Sequence, residues 1–195
     1  MVTDPHDGRS IGIAPPKVSA DIVLISHDHF DHNCSSVVAG ADSTVFDKPV
    51  MTVEKGVRIE GINAFHDADG GVKRGKVTIF RFEVDGTSFC HLGDLGHTLG
   101  ETTVDKIAPV DFLFVPVGDT FTIGPQSAKS VVESIGPKVA VPMHYRVPGL
   151  SISLQPVQKF LDVVKGRRIS QVGNEVEFAQ DDLPEGGTEI WVFSK

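Results

Sequence analysis

The sequence predicts one α/β domain built as a layered sandwich. Short apolar runs recur along its 195 residues without a helical period, as buried strands do. Two segments, Pro125 to Gly136 and Pro156 to Lys165, start on proline and stop at glycine, the pattern of short helices. The two kinds of element are mixed along the chain, which calls for stacked layers rather than separate helical and sheet regions.

Ala20 to Ser26 (ADIVLIS) is β-branched and Leu-rich and reads as a buried strand. It stops at HDHFDHNCSS, too polar for a core strand, and a short helix or turn is expected to open near Asp31 to Asn33, where such side chains cap well. Val57 to Phe65 is a second strand, ending at His66 and followed by the Gly-rich, charged loop ADGGVKRG. Val77 to Val84 and Thr87 to Leu92 flank Asp85-Gly86, a pair that accepts the positive φ angles of a tight hairpin turn. The second arm runs into Gly93-Asp94. Asp111 to Val117, Lys138 to Pro142 and Glu189 to Phe193 complete the strands, the second of them ending at Met143-His144.

A hydrophobic content of 40% in 195 residues suits a single core, so residues 1–195 are read as one domain. The formal net charge of −8 argues against a broad phosphate-backbone footprint, so nucleic acid is not the expected partner and a small-molecule substrate is. No basic start followed by an apolar run and no bilayer-length apolar stretch occurs. Cys34 and Cys90 make no disulfide framework. A cytoplasmic protein with reduced thiols and no membrane partner is expected.

The chemistry concentrates in His27-Asp28-His29-Phe30-Asp31-His32. The pattern H-x-H-x-D-H arises by chance in roughly one chain in a thousand of this length. In an extended loop, His27 and His29 point the same way and can grip one ion; Asp31 and His32, where the chain turns, can reach a second. Imidazole with carboxylate suits zinc, manganese or iron, and the absence of cysteine from the motif speaks against a closed structural zinc site. Exposed loop residues or a lone structural metal site are the alternative, and the rarity of the motif weighs against it. His66, Asp94 and His144 each follow a strand at its C-terminal end. Singly, each would be an ordinary surface or core group. Together with the motif they complete two coordination spheres, because strand ends on one rim of a sandwich are neighbours in space.

Five segments carry a resemblance to a family: SHDHFDH from Ser26 to His32, AFHD from Ala64 to Asp67, HLGDLGH from His91 to His97, TIGP from Thr122 to Pro125, and VPMHY from Val141 to Tyr145. They resemble the metallo-β-lactamase superfamily, specifically its short single-domain hydrolases similar to ascorbate-6-phosphate lactonases, over about Thr3 to about Leu161. The resemblance implies a four-layer αββα sandwich with a dinuclear site at one edge. By motif, His27, His29 and His66 would bind the first metal, Asp31, His32 and His144 the second, and Asp94 would bridge them. Two divalent ions, zinc first and manganese or iron as the other candidates, are the implied cofactors. Asp4 would stand behind a ligating His. Members of this branch begin with two strands before an Asp-Pro that appears here as Asp4-Pro5, so an uncovered sheet edge is expected. Either a homo-oligomer or the segment from Val2 to Ile13 would cover it.

Asp31, Asp94 and His97 are the side chains expected to take part in the reaction itself. His91, three residues before Asp94, competes for its ligand role; strand alternation would put the two on opposite faces, leaving His91 to packing or to support of a ligand. His97 lies in a Gly-bounded loop and is a candidate proton donor or substrate contact. Tyr145 adjoins His144 and could meet a substrate oxygen or simply pack. Cys34 is read as a buried, inert thiol. The expected reaction is hydrolysis of an ester, lactone or phosphodiester of a small molecule, anionic ones among the candidates, by a hydroxide held between two metal ions. A nuclease or phosphodiesterase and a non-catalytic metal-binding module are the competing readings. Flavodiiron oxygen reductases share the fold but place Glu where this chain has His29 and carry a flavin domain absent here. Lys73, Arg74 and Arg146, in loops expected to line the pocket, are the candidate contacts for an anionic group.

Overall fold

The computed structural model describes residues 1–194. Its small sheet is parallel throughout and holds β1 (Val2–Thr3), β2 (Ala20–Leu24) and β3 (Ala39–Phe46) in that order. The large sheet takes β4 (Met51–Glu54), β5 (Val57–Phe65), β6 (Lys76–Val84) and β7 (Thr87–His91) as an antiparallel run. After helix α1 (Glu101–Ile107) it continues in parallel through β8 (Phe112–Pro116) and, beyond helix α2 (Pro125–Ile135), β9 (Val139–Met143). Helix α3 (Gln158–Val163) then leads to β10 (Ile169–Val172) and β11 (Glu189–Phe193). The strand order of this sheet is β10-β11-β9-β8-β7-β6-β5-β4.

The two sheets meet where Ile22 and Leu24 of β2 pack on Ile59 of β5 and on Phe80 and Phe82 of β6. Val23, between those two inward residues, faces the other way and is covered by Val37 and Val38. This period-two alternation is what lets one strand serve two layers. The outer face of the large sheet takes Ala128, Val131, Val132 and Ile135 from α2 and Phe160 and Leu161 from α3. The architecture is thus the αββα sandwich, with the layer over the small sheet reduced here to a 3-10 turn, Ser35–Val37.

The Asp85-Gly86 hairpin forms as expected, with φ of 49° and 77° at the two turn residues. Proline opens α2 and Gly136 closes it in the left-handed region. The second Pro-to-Gly segment yields only the six residues of α3. β3, β4, β10 and α1 are among the elements without a signal in the sequence. β3 opens on Ala-Gly-Ala-Asp-Ser-Thr and is exposed over half its length, and it is a strand because β2 supplies its ladder. β4 and β10 are the short edges of the large sheet, and α1 buries Ile107 alone.

The first residues of the chain cover part of the small-sheet edge. Val2 and Thr3 pair with Val23 and Leu24, and the Asp4 N–H donates to the Leu24 carbonyl at 2.8 Å. The residues beyond turn away to the loop around residue 150, where the Ser151 N–H donates to the Ile11 carbonyl at 2.9 Å. Cys34 and Cys90 are both free; Cys34 is half-buried rather than buried, beside Ser36 in the 3-10 turn. Among the described residues no helix is long and apolar enough to cross a membrane.

Candidate metal centre

β2 ends at Leu24, and the loop after it delivers His27, His29, Asp31 and His32 to the rim of the sandwich. β5 delivers His66, the turn after β7 delivers Asp94, and the end of β9 delivers His144. The ligand atoms of His27, His29 and His66 lie within 4.8 Å of one another, and so do those of Asp31, His32 and His144. Asp94 sits between the two triads. Its Oδ2 is 3.3 Å from His66 Nε2, 3.9 Å from His27 Nε2 and 3.3 Å from His144 Nε2, while its Oδ1 is 3.5 Å from His32 Nε2. The seven side chains that the sequence suggests as metal ligands therefore gather around Asp94.

A second layer orients them. The carboxylate of Asp4, buried beneath the cluster, accepts the Ser26 N–H and the Ser26 hydroxyl, each at 2.6 Å. With its proton committed to a carboxylate, the Ser26 oxygen is left to accept from His27 Nδ1 at 2.9 Å. His27 Nε2 then carries the lone pair, and it is buried without a hydrogen-bond partner, as is Asp94 Oδ1. Asp4 Oδ2 also lies 3.3 Å from His32 Nδ1 and 2.8 Å from His91 Nε2. Orphaned buried lone pairs, steered from behind by a carboxylate, are what a cation site requires. The donor set of imidazoles and carboxylates fits a divalent transition metal.

Burial opposes charge on His32, but the carboxylates of Asp94, Asp4 and Asp31 outweigh it and its pKa is pushed up to about 9. Burial pushes His27 down to about 3, helped by the charge on His32. Burial also opposes the charge of Asp4, yet His91 and His32 hold its carboxyl well below the usual range.

Two glycines make room for the ligands. A Cβ on Gly118 would meet the His144 carbonyl oxygen at 2.0 Å, and one on Gly96 would meet the Asp67 nitrogen and the His66 carbonyl carbon, both at 2.3 Å. His144 itself has a φ of 54°, a conformation uncommon for a residue with a side chain.

Other residues fall differently. His91 supports the cluster through Asp4, but strand alternation is not the reason: β7 stops at His91, Gly93 follows with a φ of 53°, and His91 and Asp94 line one cavity. His97 is not brought to the cluster. Its Nε2 accepts the Phe65 N–H at 3.2 Å, its Nδ1 donates to the Thr98 carbonyl at 2.8 Å, and it lines neither cavity beside the cluster. The Tyr145 hydroxyl donates to the Phe193 carbonyl at 3.2 Å, which ties it to β11. Of the three candidate cations only Arg74 lines a cavity of the site; Lys73 pairs with Asp69. Ser26 and Asp67 carried no role in the sequence reading. Asp67 accepts four backbone N–H groups, from Asp69, Gly71, Lys73 and Arg74, and so shapes the loop behind His66. The AFHD segment was the only signal that could have pointed to it.

Residues 1–144 match the family model of the beta-lactamase superfamily domain. A metal-dependent hydrolase of Staphylococcus aureus (strain Newman) is 29% identical over 194 residues, covering 83% of each chain. One from Pelotomaculum thermopropionicum is 28% identical over 156 residues, 66% of this chain and 68% of that one. Among solved structures, one described as a Zn-dependent hydrolase of the metallo-beta-lactamase superfamily from Thermotoga maritima superposes with a TM-score of 0.77 at 36% identity, over 99% of this chain and 90% of that one. A protein from Parabacteroides distasonis, at a TM-score of 0.67 and 17% identity over 98% of this chain and 83% of that one, shares the fold. This chain belongs to the metallo-β-lactamase superfamily, among its metal-dependent hydrolases.

Proposed function

We propose that the chain binds two divalent metal ions and hydrolyses an ester, lactone or phosphodiester bond of a small molecule. The observation that carries this reading is the position of Asp94, whose one carboxylate faces ligand atoms of both triads. His27, His29 and His66 would hold one ion, Asp31, His32 and His144 the other, with Asp94 shared. Zinc is the first choice for such a set, and manganese or iron would also be accepted. Ions held there supply an acidified water as nucleophile and a Lewis acid for the scissile oxygen.

The protein's own part is placement and dryness. Asp4 and Ser26 fix the rings of His27 and His32, so that each presents Nε2 to the centre. Asp94 and His66 are almost wholly buried, which strengthens their electrostatic hold on charge developing beside them. Asp31, the more open carboxylate, lines both cavities and in this reading would take up a proton from a substrate or water at the centre. His97 takes no part in this scheme, its ring nitrogens being used by the backbone.

Elemental analysis of metal-replete protein, with a screen of esters, lactones and phosphodiesters, tests the reading. Two ions per chain and turnover in one substrate class are expected. A single tightly held ion, or no hydrolysis in any class by the two-ion form, overturns it.

A further inference from the structure

We infer that the substrate is an amphiphile, an O-acyl ester of a small acidic headgroup, whose acyl chain fills an apolar cavity behind His144 and whose anion is held by Arg74. This rests on the hydrolase reading above and names the substrate class of the same site.

Two cavities open from the cluster, and they share Asp31, Asp94, His144 and Ile152 in their walls. A molecule lying across those four residues enters both. The first cavity, about 350 Å³, suits part of a small ligand. Its wall joins the cluster's own Asp31, His32, Asp94 and His144, with Thr3 and His6, to an apolar part made of Ile11, Val147, Leu150, Ile152 and Leu154 beside Phe114. Asp4 and His91, polar members of that wall, are bonded to each other. The wall is also a built one. The loop of residues 147–154 is clasped to the segment before it by the Ser151 to Ile11 hydrogen bond, and a Cβ on Gly12 would meet the Gly149 carbonyl at 2.6 Å. An aliphatic chain gains from burial against that apolar part, where a polar or sugar-like group would lose hydration.

The second cavity carries a cation in its wall. Among the described residues, Arg74 is the only Lys or Arg in the wall of either cavity. Its backbone N–H is held by Asp67 at 2.8 Å, its guanidinium lies 4.9 Å from the centre of the Phe121 ring, and its Nη1 is 3.5 Å from the Thr120 carbonyl. A cation stacked and tethered in this way is set to receive a carboxylate or phosphate while losing little side-chain freedom. The scissile bond then falls at the shared residues between the two cavities. Water adds across the acyl–oxygen bond: the hydroxyl goes to the acyl carbon, and the departing oxygen leaves with the headgroup and takes a proton.

Calorimetric binding of amide analogues to the metal-loaded protein tests this, and it reads binding whether or not esters are turned over. N-octanoylglycine should bind at least tenfold tighter than N-acetylglycine, since each buried methylene adds up to about fourfold. It should also bind severalfold tighter than N-ethyloctanamide, which lacks the anion. Leu150→Trp, which fills the cavity, should remove the chain-length preference and leave the anion preference. Arg74→Gln should do the reverse. Equal affinity of the wild-type protein for the octanoyl and acetyl compounds overturns the acyl site without reference to any variant. An anion preference that survives Arg74→Gln would assign that contact to the metal centre and overturn the role of Arg74. If hydrolysis fails but both preferences appear, the function reading falls and the binding site stands.

Discussion

A Cβ on Gly118 would lie 2.0 Å from the carbonyl oxygen of His144, closer than any side chain permits. The loop after β8 and the end of β9 are pressed together here. The Val117 N–H donates to the Met143 carbonyl at 3.1 Å, and the Gly118 carbonyl accepts from the Gln155 N–H at 3.0 Å. The contact holds His144 in its positive-φ conformation with Nε2 toward Asp94. Gly118→Ala must push this backbone aside.

For Gly118→Ala, a stability loss of roughly 1–3 kcal/mol is expected, as for other overpacked sites. Affinity for one ion of the pair should fall by about 10- to 100-fold, the range seen when the support of a ligand is disturbed. Denaturant melts and a metal titration check both. Unchanged binding of both ions would mean that the centre does not depend on where His144 is held.

Asp94→Ala should abolish hydrolysis and weaken the binding of both ions, because its two oxygens face both triads. His91→Ala should be milder, since it removes one partner of Asp4 and leaves Ser26 and His32 in contact with that carboxylate. Metal content and activity of the two variants, measured side by side, make the check. Loss of metal in His91→Ala together with retention in Asp94→Ala would reverse the assignment.

Far from the centre, Asp111 accepts the Ser88 N–H at 2.8 Å and its hydroxyl at 2.7 Å, and pairs with Lys138 at 2.9 Å. Partial burial opposes its charge, but these partners hold its pKa below the ordinary 3.8. A depressed carboxylate stabilises the fold above its unfolded value, and that contribution is lost as pH falls through the lower folded value. Asp111→Ala should therefore cost roughly 1–2 kcal/mol at pH 7, and the gap from wild type should narrow below pH 4. Urea melts at pH 7 and pH 3 test the sign. A gap that widens on acidification would contradict it.

The set of converging side chains was legible in the sequence because each announces itself locally. HDHFDH is a rare string, and His66, Asp94 and His144 each stand just past an apolar run that can hardly be anything but a strand. The layered α/β class followed from the same runs, since alternating or continuous apolar patterns report which faces must be buried. What the tertiary structure decided is the company those residues keep. His97 sits in the same loop segment as Asp94, yet the Phe65 and Thr98 backbones occupy both its nitrogens. Arg74, Lys73 and Arg146 look alike as cations, and only the fold of the loop around Asp67 carries one of them into the cleft. β3 is polar enough to read as a loop and becomes a strand through pairing with β2. A side chain's residue type and its place along an element are local properties that a string of letters records. Its partners are chosen by chain segments far apart in sequence, here residue 4 with residues 26, 32 and 91, and that choice exists only once burial has brought them together.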